Sequence, residues 1–314
     1  MKIQSEPKAK LKVMKNSAFT IETAPFLPKL HQNMLFIGKR GSGKSVAATN
    51  LLRMYKETNT MDRILVISPT FNSNKALMKE LDIKEEDVFT DPDDLSLPMR
   101  IMEIVDQERD EFVRYQHLVK NFERIMKLIK SGDMRVEDGM IDDYILAYFN
   151  IATNTFSLPK PRYECYKRNK PPVISLLVDD CQSTKVFSNR KFFNLVTRHR
   201  HLGQFVTGGA VGLTLMICAQ NYLSQSGGLN KAVRNNATSL CLFRTKDESE
   251  LMKVAESFSG EVSIDTFLDM YDVATAEPHS FLFVDLHKKD NHPSMFRKRF
   301  DEYLIPDEND DKNI

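Results

Sequence analysis

The stretch that decides the fold runs from Met34 to Ser45 and reads MLFIGKRGSGKS. Its first four residues are an apolar run of strand length that stops at a glycine, and Val46 to Tyr55 then reads as a helix rich in good helix formers. Residues 38–45 match GxxxxGK[ST] at every position, a pattern that cradles nucleotide phosphates where it joins a strand to a helix. We therefore predict a phosphate-binding loop whose nucleotide contacts are Gly38, Lys39, Arg40, Gly41, Ser42, Gly43, Lys44, Ser45 and Val46.

Each residue type in this loop has a chemical role. Glycines allow the backbone N–H groups to turn toward a phosphate, and the start of the following helix adds positive potential. We expect Lys44 to reach the β and γ phosphates and to act in catalysis, and we expect Ser45 to bind Mg²⁺. The ligands that the loop implies are ATP and Mg²⁺.

Four further apolar runs have the length of strands. They are continuous rather than alternating, which is typical of strands covered by helices on both faces, and helical stretches lie between several of them. The sequence therefore predicts the α/β class with a mainly parallel sheet. The four runs are Ile64–Ile67, Val173–Val178, Leu213–Ala219 and Ser239–Phe243.

Polar residues follow two of these runs directly. Asp179 and Asp180 come after the third strand, where the first would hold Mg²⁺ through water and the second would polarise an attacking water. Gln220 ends the fourth strand and is placed to sense the γ-phosphate. Aspartate is also a favoured helix N-cap, so the interpretation of the two carboxylates depends on the phosphate-binding loop.

An arginine precedes the fifth strand. Arg234 lies in the segment KAVRNNAT and could stabilise transition-state charge on the ATP of a neighbouring subunit. The other candidates for this role are Arg198, Arg200 and Arg244.

The chain divides into a basic arm over residues 1–16, a nucleotide-binding domain over 17–300 and an acidic tail over 301–314. Residues 86–170 are too long for a simple crossover and predict a mainly helical insertion between the second and third strands. Apolar residues at helical spacing between Pro98 and Gly132 predict one long amphipathic helix. A second, shorter helix is expected over Ile141 to Phe149.

Composition excludes several classes of protein. The 314 residues are 41% hydrophobic and 28% charged, which is globular composition rather than that of a collagen, a coiled-coil rod or a disordered chain. A net charge of +1 means that any nucleic acid would have to bind to local basic patches. No apolar run approaches the ~20 residues of a spanning helix, so no integral membrane segment is expected. Four cysteines without CxxC pairing favour buried free thiols over a disulfide or zinc site.

The order of these motifs resembles a known family. GKRGSGKS, LLVDDCQS, the helix ending Thr197-Arg198-His199, the strand LTLMICAQN and the AVRNN element, over residues 30–245, resemble the additional-strand (RecA/FtsK-like) P-loop ATPases of the FtsK and HerA superfamily. Within it, the poxvirus-type genome-packaging ATPases of nucleocytoplasmic large DNA viruses are the most similar. The resemblance implies a sheet of order 5-1-4-3-2 with helices on both faces, Asp180 in place of a more common Glu, and Arg234 as the finger that acts on a neighbouring subunit. A second Arg-His pair, Arg200-His201, and the glycine-rich stretch 203–212 depart from the pattern.

By that resemblance the chain is an ATP-hydrolysing motor that moves double-stranded viral DNA into a capsid. The implied partners are DNA bound without sequence preference, further copies of the chain in a pentameric or hexameric ring, and capsid or internal-membrane proteins. The implied location is the host cytoplasm at viral assembly sites and then the virion. The candidate DNA contacts are Arg162, Lys167, Arg168, Arg198 and Arg200. A late basic cluster over residues 288–299 is a further candidate, and the neighbouring Phe296 and Phe300 leave open that it is instead an edge strand or a helix packed on the domain.

Other functions remain open on the sequence alone. These are another DNA translocase or terminase-like ATPase, a P-loop kinase for small molecules, and a nucleotide-controlled switch without catalysis. A nuclease activity is not expected, because residues 244–314 leave too little room for a nuclease domain.

Overall fold

A computed structural model describes residues 21–71, 75–131, 149–150, 155–156, 170–223 and 229–306. Within these ranges the strands are β1 (Asn33–Ile37), β2 (Arg63–Ile67), β3 (Val88–Phe89), β4 (Phe149–Asn150), β5 (Thr155–Phe156), β6 (Ile174–Val178), β7 (Thr214–Ala219), β8 (Ser239–Phe243), β9 (Phe281–Asp285), β10 (Phe296–Lys298) and β11 (Glu302–Leu304). The helices are α1 (Lys44–Glu57), α2 (Lys75–Glu80), α3 (Leu97–Ser131), α4 (Arg190–Arg198), α5 (Lys231–Asn235), α6 (Glu248–Ser257) and α7 (Ile264–Ala274).

Nine of the strands form one mixed sheet in the order β11-β10-β9-β8-β1-β7-β6-β2-β3. The strands from β8 to β3 are parallel, and β9, β10 and β11 add to them in antiparallel fashion. The order 5-1-4-3-2 expected for five strands therefore does not describe the whole sheet. The five strands identified from the sequence lie next to one another inside it, in the order β8-β1-β7-β6-β2.

Both faces of the sheet are buried. Leu35 and Ile37 of β1 belong to an apolar core that includes residues of α3 to α7, whereas Met34 and Phe36 point into a second core built with α1. Successive side chains of a strand point to opposite faces, so a strand covered on both sides is apolar throughout. This confirms helices on both faces, the α/β class and the mainly parallel sheet.

The long insertion is only partly as expected. Helix α3 confirms the amphipathic helix between Pro98 and Gly132, and it buries Ile101, Val105 and Phe112. The insertion also supplies β3, which extends the main sheet. Of the helix expected at 141–149, residues 141–148 lie outside the described residues; at Phe149 the expectation is wrong, because this residue belongs to the strand β4.

The two ends of the chain differ from expectation in one respect. The basic arm, residues 1–16, lies outside the described residues. At the other end Glu302–Leu304 forms the edge strand β11, so a solvated tail cannot begin at residue 301.

Three of the four cysteines, Cys181, Cys218 and Cys241, are buried free thiols, and Cys165 lies outside the described residues. In the described part of the chain, no helix is both long and apolar enough to cross a bilayer.

Residues 23–28, which we call the strap, are held by side chains from the antiparallel end of the sheet. Lys289 Nζ donates to the carbonyl oxygens of residues 23 and 24 at 3.1 and 2.6 Å, and His292 Nε2 lies 2.6 Å from that of residue 25. Arg297 donates from Nη1 to the carbonyl oxygens of Phe26 at 2.9 Å and Phe300 at 3.0 Å. Every carbonyl from residue 23 to residue 26 therefore has a side-chain donor.

Arg297 is completely buried, although the sequence places it in a basic cluster. Its Nη2 lies 2.6 Å from Nδ1 of His292, and its guanidinium packs over the rings of Phe283 and Tyr303 at 5.5 and 4.5 Å. Asp285, also completely buried, lies 3.9 Å away. Arg297 is therefore part of the interior rather than of a DNA-binding surface.

Candidate functional site

The predicted phosphate-binding loop lies at the carboxyl-terminal edge of the sheet, between β1 and α1. Gly43 has a φ of 103°, a left-handed conformation that glycine adopts without strain. Gly38 is needed for space, because a Cβ there would lie 2.6 Å from Cβ of Phe243. The loop is also tied to the sheet, since the N–H of Gly38 donates to the carbonyl oxygen of Ala219 at 3.2 Å.

Lys44, the first residue of α1, folds back over its own loop. Its Nζ donates to the carbonyl oxygens of Gly38 at 2.6 Å and Lys39 at 3.0 Å. Partial burial lowers the pKa of Lys44, and the nearby Cys218, Asp179 and Asp180 act in the opposite direction. The ammonium is therefore held over the loop by two neutral carbonyl oxygens, which a negatively charged phosphate can replace.

The two carboxylates follow β6 at the same edge. Asp179 is anchored by its N–H, which donates to the carbonyl oxygen of Ile67 at 2.9 Å, and its Oδ1 accepts from the N–H of Asp180 at 3.0 Å. Asp180 is exposed and has a φ of 55°. A left-handed backbone at a non-glycine residue costs roughly 1–2 kcal/mol and is typical of functional positions.

A buried thiol stands behind Asp179. Burial raises the pKa of the Cys218 thiol well above its ordinary value, and the nearby Asp179 acts in the same direction. The sequence identified Cys218 only as a core residue, because nothing in its spacing indicates a contact across two strands.

Gln220 and the segment after it are held by three side chains from different elements. The Gln220 N–H donates to Oε1 of Gln182 at 3.1 Å. Oε1 of Glu250, on α6, accepts from the N–H groups of Tyr222 at 2.5 Å and Leu223 at 3.0 Å. Sequence reasoning missed both Gln182 and Glu250, and Glu250 carries no sequence signal because it acts on backbone 27 and 28 residues away.

The third of these side chains is Arg234. Its Nη1 donates to the carbonyl oxygens of Tyr222 at 3.1 Å and Leu229 at 2.5 Å, and the guanidinium lies over the Tyr222 ring at 5.4 Å. Within one chain Arg234 therefore braces the segment that follows β7. Its action on a neighbouring subunit stays a prediction.

The residues present fit Mg²⁺ and a polyphosphate. Ser45 is exposed at the first turn of α1, Asp179 supplies a carboxylate, and these oxygens are of the kind that Mg²⁺ prefers. In the described ranges no group of three or more His, Cys, Asp or Glu side chains is placed to hold a metal. The ion would therefore complete its ligands with phosphate oxygens and water. The buried Oγ of Ser42, which has no hydrogen-bond partner among the described residues, adds a further polar group in the loop.

The candidate DNA contacts fall into two groups. Arg162, Lys167 and Arg168 lie outside the described residues. Arg198 and Arg200 are exposed at the end of α4, where the N–H of Leu213 donates to the carbonyl oxygen of His199 at 2.9 Å. This is the amino-terminal edge of the sheet, opposite the phosphate-binding loop.

A cavity of about 1170 Å³ opens at this amino-terminal edge. Its lining includes the cationic side chains Lys29, Arg200 and Lys289 together with His201, as well as two carboxylates. Three basic stretches that are far apart in the sequence thus meet at one place. Neither Arg198 nor Arg200 forms an ion pair within the part of the chain that the structure describes.

Comparisons with known proteins found similar solved structures at low sequence identity. No protein-family model matches the chain, and no curated protein sequence matches it. The structure of the genome packaging NTPase B204 from Sulfolobus turreted icosahedral virus 2 with AMP is similar, at 12% identity and a TM-score of 0.43 over 81% of this chain and 92% of that chain. The pCW3 conjugation coupling protein TcpA is 15% identical with a TM-score of 0.42, over 83% of this chain and 58% of that chain.

A third similar structure is that of EssC from Geobacillus thermodenitrificans, which is 15% identical with a TM-score of 0.40, over 83% of this chain and 38% of that chain. These structures include a virus genome-packaging NTPase, the kind of protein that the motif order resembles. All three TM-scores are below 0.5, so we derive a function from the geometry of the site itself.

Proposed function

We propose that this protein is a Mg²⁺-dependent ATPase that translocates double-stranded DNA, with viral genome packaging as its role. The observation that supports the ATPase activity is that the complete phosphate-binding loop lies at the same edge of the sheet as Asp179, Asp180 and Gln220. The carboxyl ends of parallel strands are where α/β proteins bind ligands.

The chain's own residues have distinct parts in this mechanism. Lys44 exchanges two carbonyl oxygens for phosphate oxygens, and its charge offsets the negative charge that develops on the transferred phosphoryl group. Ser45 would hold Mg²⁺ directly and Asp179 would hold it through water, and the ion would neutralise charge on the phosphates. Asp180 orients and polarises the attacking water, and Gln220 contacts the terminal phosphate.

DNA contact is proposed at the opposite edge, where the exposed side chains of Arg198, Arg200 and Lys29 lie. Exposed cations without intramolecular ion pairs suit a phosphate backbone and carry no base preference. Helix α4 runs from the segment after Asp180 to Arg198, so a change in that segment on hydrolysis would move the basic end.

Assembly and location follow the resemblance and are proposals. A homo-oligomeric ring would let Arg234, or else Arg198, Arg200 or Arg244, reach the nucleotide of a neighbouring copy. Capsid or internal-membrane proteins would anchor such a ring at viral assembly sites in the host cytoplasm and in the virion.

The test is steady-state ATP hydrolysis with and without long double-stranded DNA. We expect DNA to stimulate hydrolysis in the wild type, and Asp180→Asn to abolish hydrolysis while ATP binding persists. Lys29→Glu, which reverses an exposed charge at the same edge and leaves every candidate for the trans-acting arginine intact, should keep the basal rate and lower the stimulation. Arg114→Glu, which reverses an exposed charge on α3, is the matched control and should behave as wild type.

Each alternative has its own outcome. ATP turnover that is independent of DNA and requires a small-molecule acceptor would indicate a kinase and contradict the proposed DNA translocase. Nucleotide binding that is unaffected by Asp180→Asn, without measurable hydrolysis in the wild type, would indicate a switch.

A further inference from the structure

A histidine from the antiparallel end of the sheet packs against the phosphate-binding loop. His279 lies two residues before β9, and its Nδ1 is 3.3 Å from the carbonyl oxygen of Ser42. A Cβ added at Gly43 would lie 3.3 Å from Cβ of His279 and 3.4 Å from its Nδ1. The imidazole therefore covers the last glycine of the loop.

The turn that carries His279 is fixed by the sheet. The N–H of Ser280 donates to the carbonyl oxygen of Glu277 at 3.2 Å, and the Glu277 carboxylate lies 2.7 Å from Nζ of Lys298. His279 itself has a φ of 63°, a conformation that few side chains adopt without support. The position of the ring is thus set by tertiary structure rather than by local preference.

The sheet order places His279 on the other side of β1 from the two carboxylates. The strands β7 and β6, which are followed by Gln220 and Asp179, lie on one side of β1, and β8 and β9 lie on the other. Neighbouring strands are about 4.8 Å apart, so four strand spacings place the start of β9 about 19 Å from the end of β6. A nucleotide that directs its terminal phosphate toward β6 and β7 carries its nucleoside toward β8 and β9.

We infer that His279 contacts the nucleoside part of a nucleotide bound to the phosphate-binding loop, an inference that rests on the proposed function. With Nδ1–H donating to the Ser42 carbonyl, Nε2 is an acceptor, and it makes no hydrogen bond within the described residues. Nε2 can therefore accept from a ribose hydroxyl or an exocyclic amino group, and the ring face can stack on a base. His279 is a positioning residue that favours nucleotides over bare polyphosphate.

The experiment compares ATP with inorganic tripolyphosphate, which lacks the nucleoside. Dissociation constants of both are measured by calorimetry on the full chain, for the wild type and for His279→Asn, since asparagine tolerates a left-handed backbone. We expect wild type to bind ATP more tightly than tripolyphosphate. His279→Asn should weaken ATP binding about tenfold, raise KM and leave both kcat and tripolyphosphate binding unchanged.

His287→Asn is the matched control, because His287 is an exposed histidine that follows β9 at the opposite edge, and it should bind both ligands as the wild type does. Equal wild-type affinities for ATP and tripolyphosphate, or an equal loss of both in His279→Asn, would overturn the contact while leaving an ATPase in place. A wild type that binds neither ligand would overturn the proposed function as well.

Discussion

Lys44 and Arg297 are both at least partly buried cations that donate to two main-chain carbonyl oxygens, yet one stabilises a local loop and the other a contact between distant parts of the chain. Lys44 contacts carbonyls five and six residues away, on the loop that it closes. Arg297 contacts Phe26, 271 residues away, and thereby joins the strap to the antiparallel end of the sheet. The hydrogen bonds of Lys44 can be exchanged for bonds to a ligand, because their acceptors are nearby in the chain and partly exposed. The hydrogen bonds of Arg297 persist, because losing them would separate distant parts of the chain.

The neighbourhoods of the two cations show the same difference. At the carboxyl-terminal edge, Asp180 and His279 have left-handed backbones and are exposed. Under the strap, His292 and Arg297 donate to the carbonyl oxygens of residues 25 and 26, and Arg297 also donates from Nη2 to Nδ1 of His292. The hydrogen bonds at the phosphate-binding loop are thus formed within one loop, whereas those under the strap join residues that are far apart in the sequence.

The largest expected effect is on stability, from Arg297→Ala. It leaves the carbonyls of residues 26 and 300 and Nδ1 of His292 without a donor, and it opens a cavity, so the free energy of unfolding should fall by about 3–5 kcal/mol. Urea unfolding measures it. Arg299→Ala, which removes an exposed ion pair with Glu302, should cost less than about 1 kcal/mol. Equal losses in the two variants would show that the strap is not held by Arg297.

Lys44→Ala should show the opposite pattern. Hydrolysis should fall by about 10²–10³-fold, because the charge that stabilises the transferred phosphoryl group is gone. The free energy of unfolding should change little, since the freed carbonyls of Gly38 and Lys39 can bind water. Turnover numbers and urea unfolding are measured together, with Lys56→Ala at the far end of α1 as control. A large loss of stability in Lys44→Ala would erase the contrast with Arg297.

Glu250→Ala tests whether the segment after β7 depends on its brace. Two backbone N–H groups lose their acceptor, which we expect to cost about 1–3 kcal/mol and to lower kcat through displacement of Gln220. Hydrogen exchange at residues 222 and 223 should become faster. Glu250→Gln keeps an acceptor oxygen, and it should retain most of the protection. Unchanged exchange in Glu250→Ala would contradict the bracing role.

The smallest effect concerns acid sensitivity, which should arise away from the phosphate-binding loop. Burial, followed by the nearby His199, lowers the pKa of His31 from 6.5 to about 4. The unfolded chain therefore takes up a proton first as the pH falls, and stability that is complete above pH 6.5 is lost as the pH falls through 4. A shift of this size corresponds to at most about 3.4 kcal/mol, and because His31 is only half-buried we expect this one group to contribute about 1–2 kcal/mol.

His31→Asn measures that contribution, since asparagine accepts the φ of 58° at this position. Urea unfolding at pH 7 and pH 4 should show a smaller loss of stability on acidification than in the wild type. His287→Asn should lose as much stability between pH 7 and pH 4 as the wild type does. An identical loss of stability between pH 7 and pH 4 in the wild type and in His31→Asn would assign the acid sensitivity to other groups.

The candidate site was predictable as far as local pattern reaches. GKRGSGKS between a strand and a helix predicted the loop, and the rule that parallel strands end at one edge predicted that Asp179 and Gln220 would lie there. Gln182, Glu250 and His279 escaped prediction, because each acts on backbone from another element and no periodicity records such a contact. The antiparallel strands β9 and β11 escaped for a similar reason, since the resemblance ended near residue 245, whereas an edge strand at the position of β10 was one of the two alternatives left open.

By itself, the sequence determined the phosphate-binding loop, the apolar strands and the long helix α3, because these depend on residues within one or two turns or on simple alternation of burial. Only the tertiary structure decided that Arg297 is interior, that Arg234 braces its own chain and that His279 covers Gly43. The reason is physical: a charged or aromatic side chain has the same local preferences whether it meets water, a carbonyl or a ligand. Its role is set by what the folded chain brings to it.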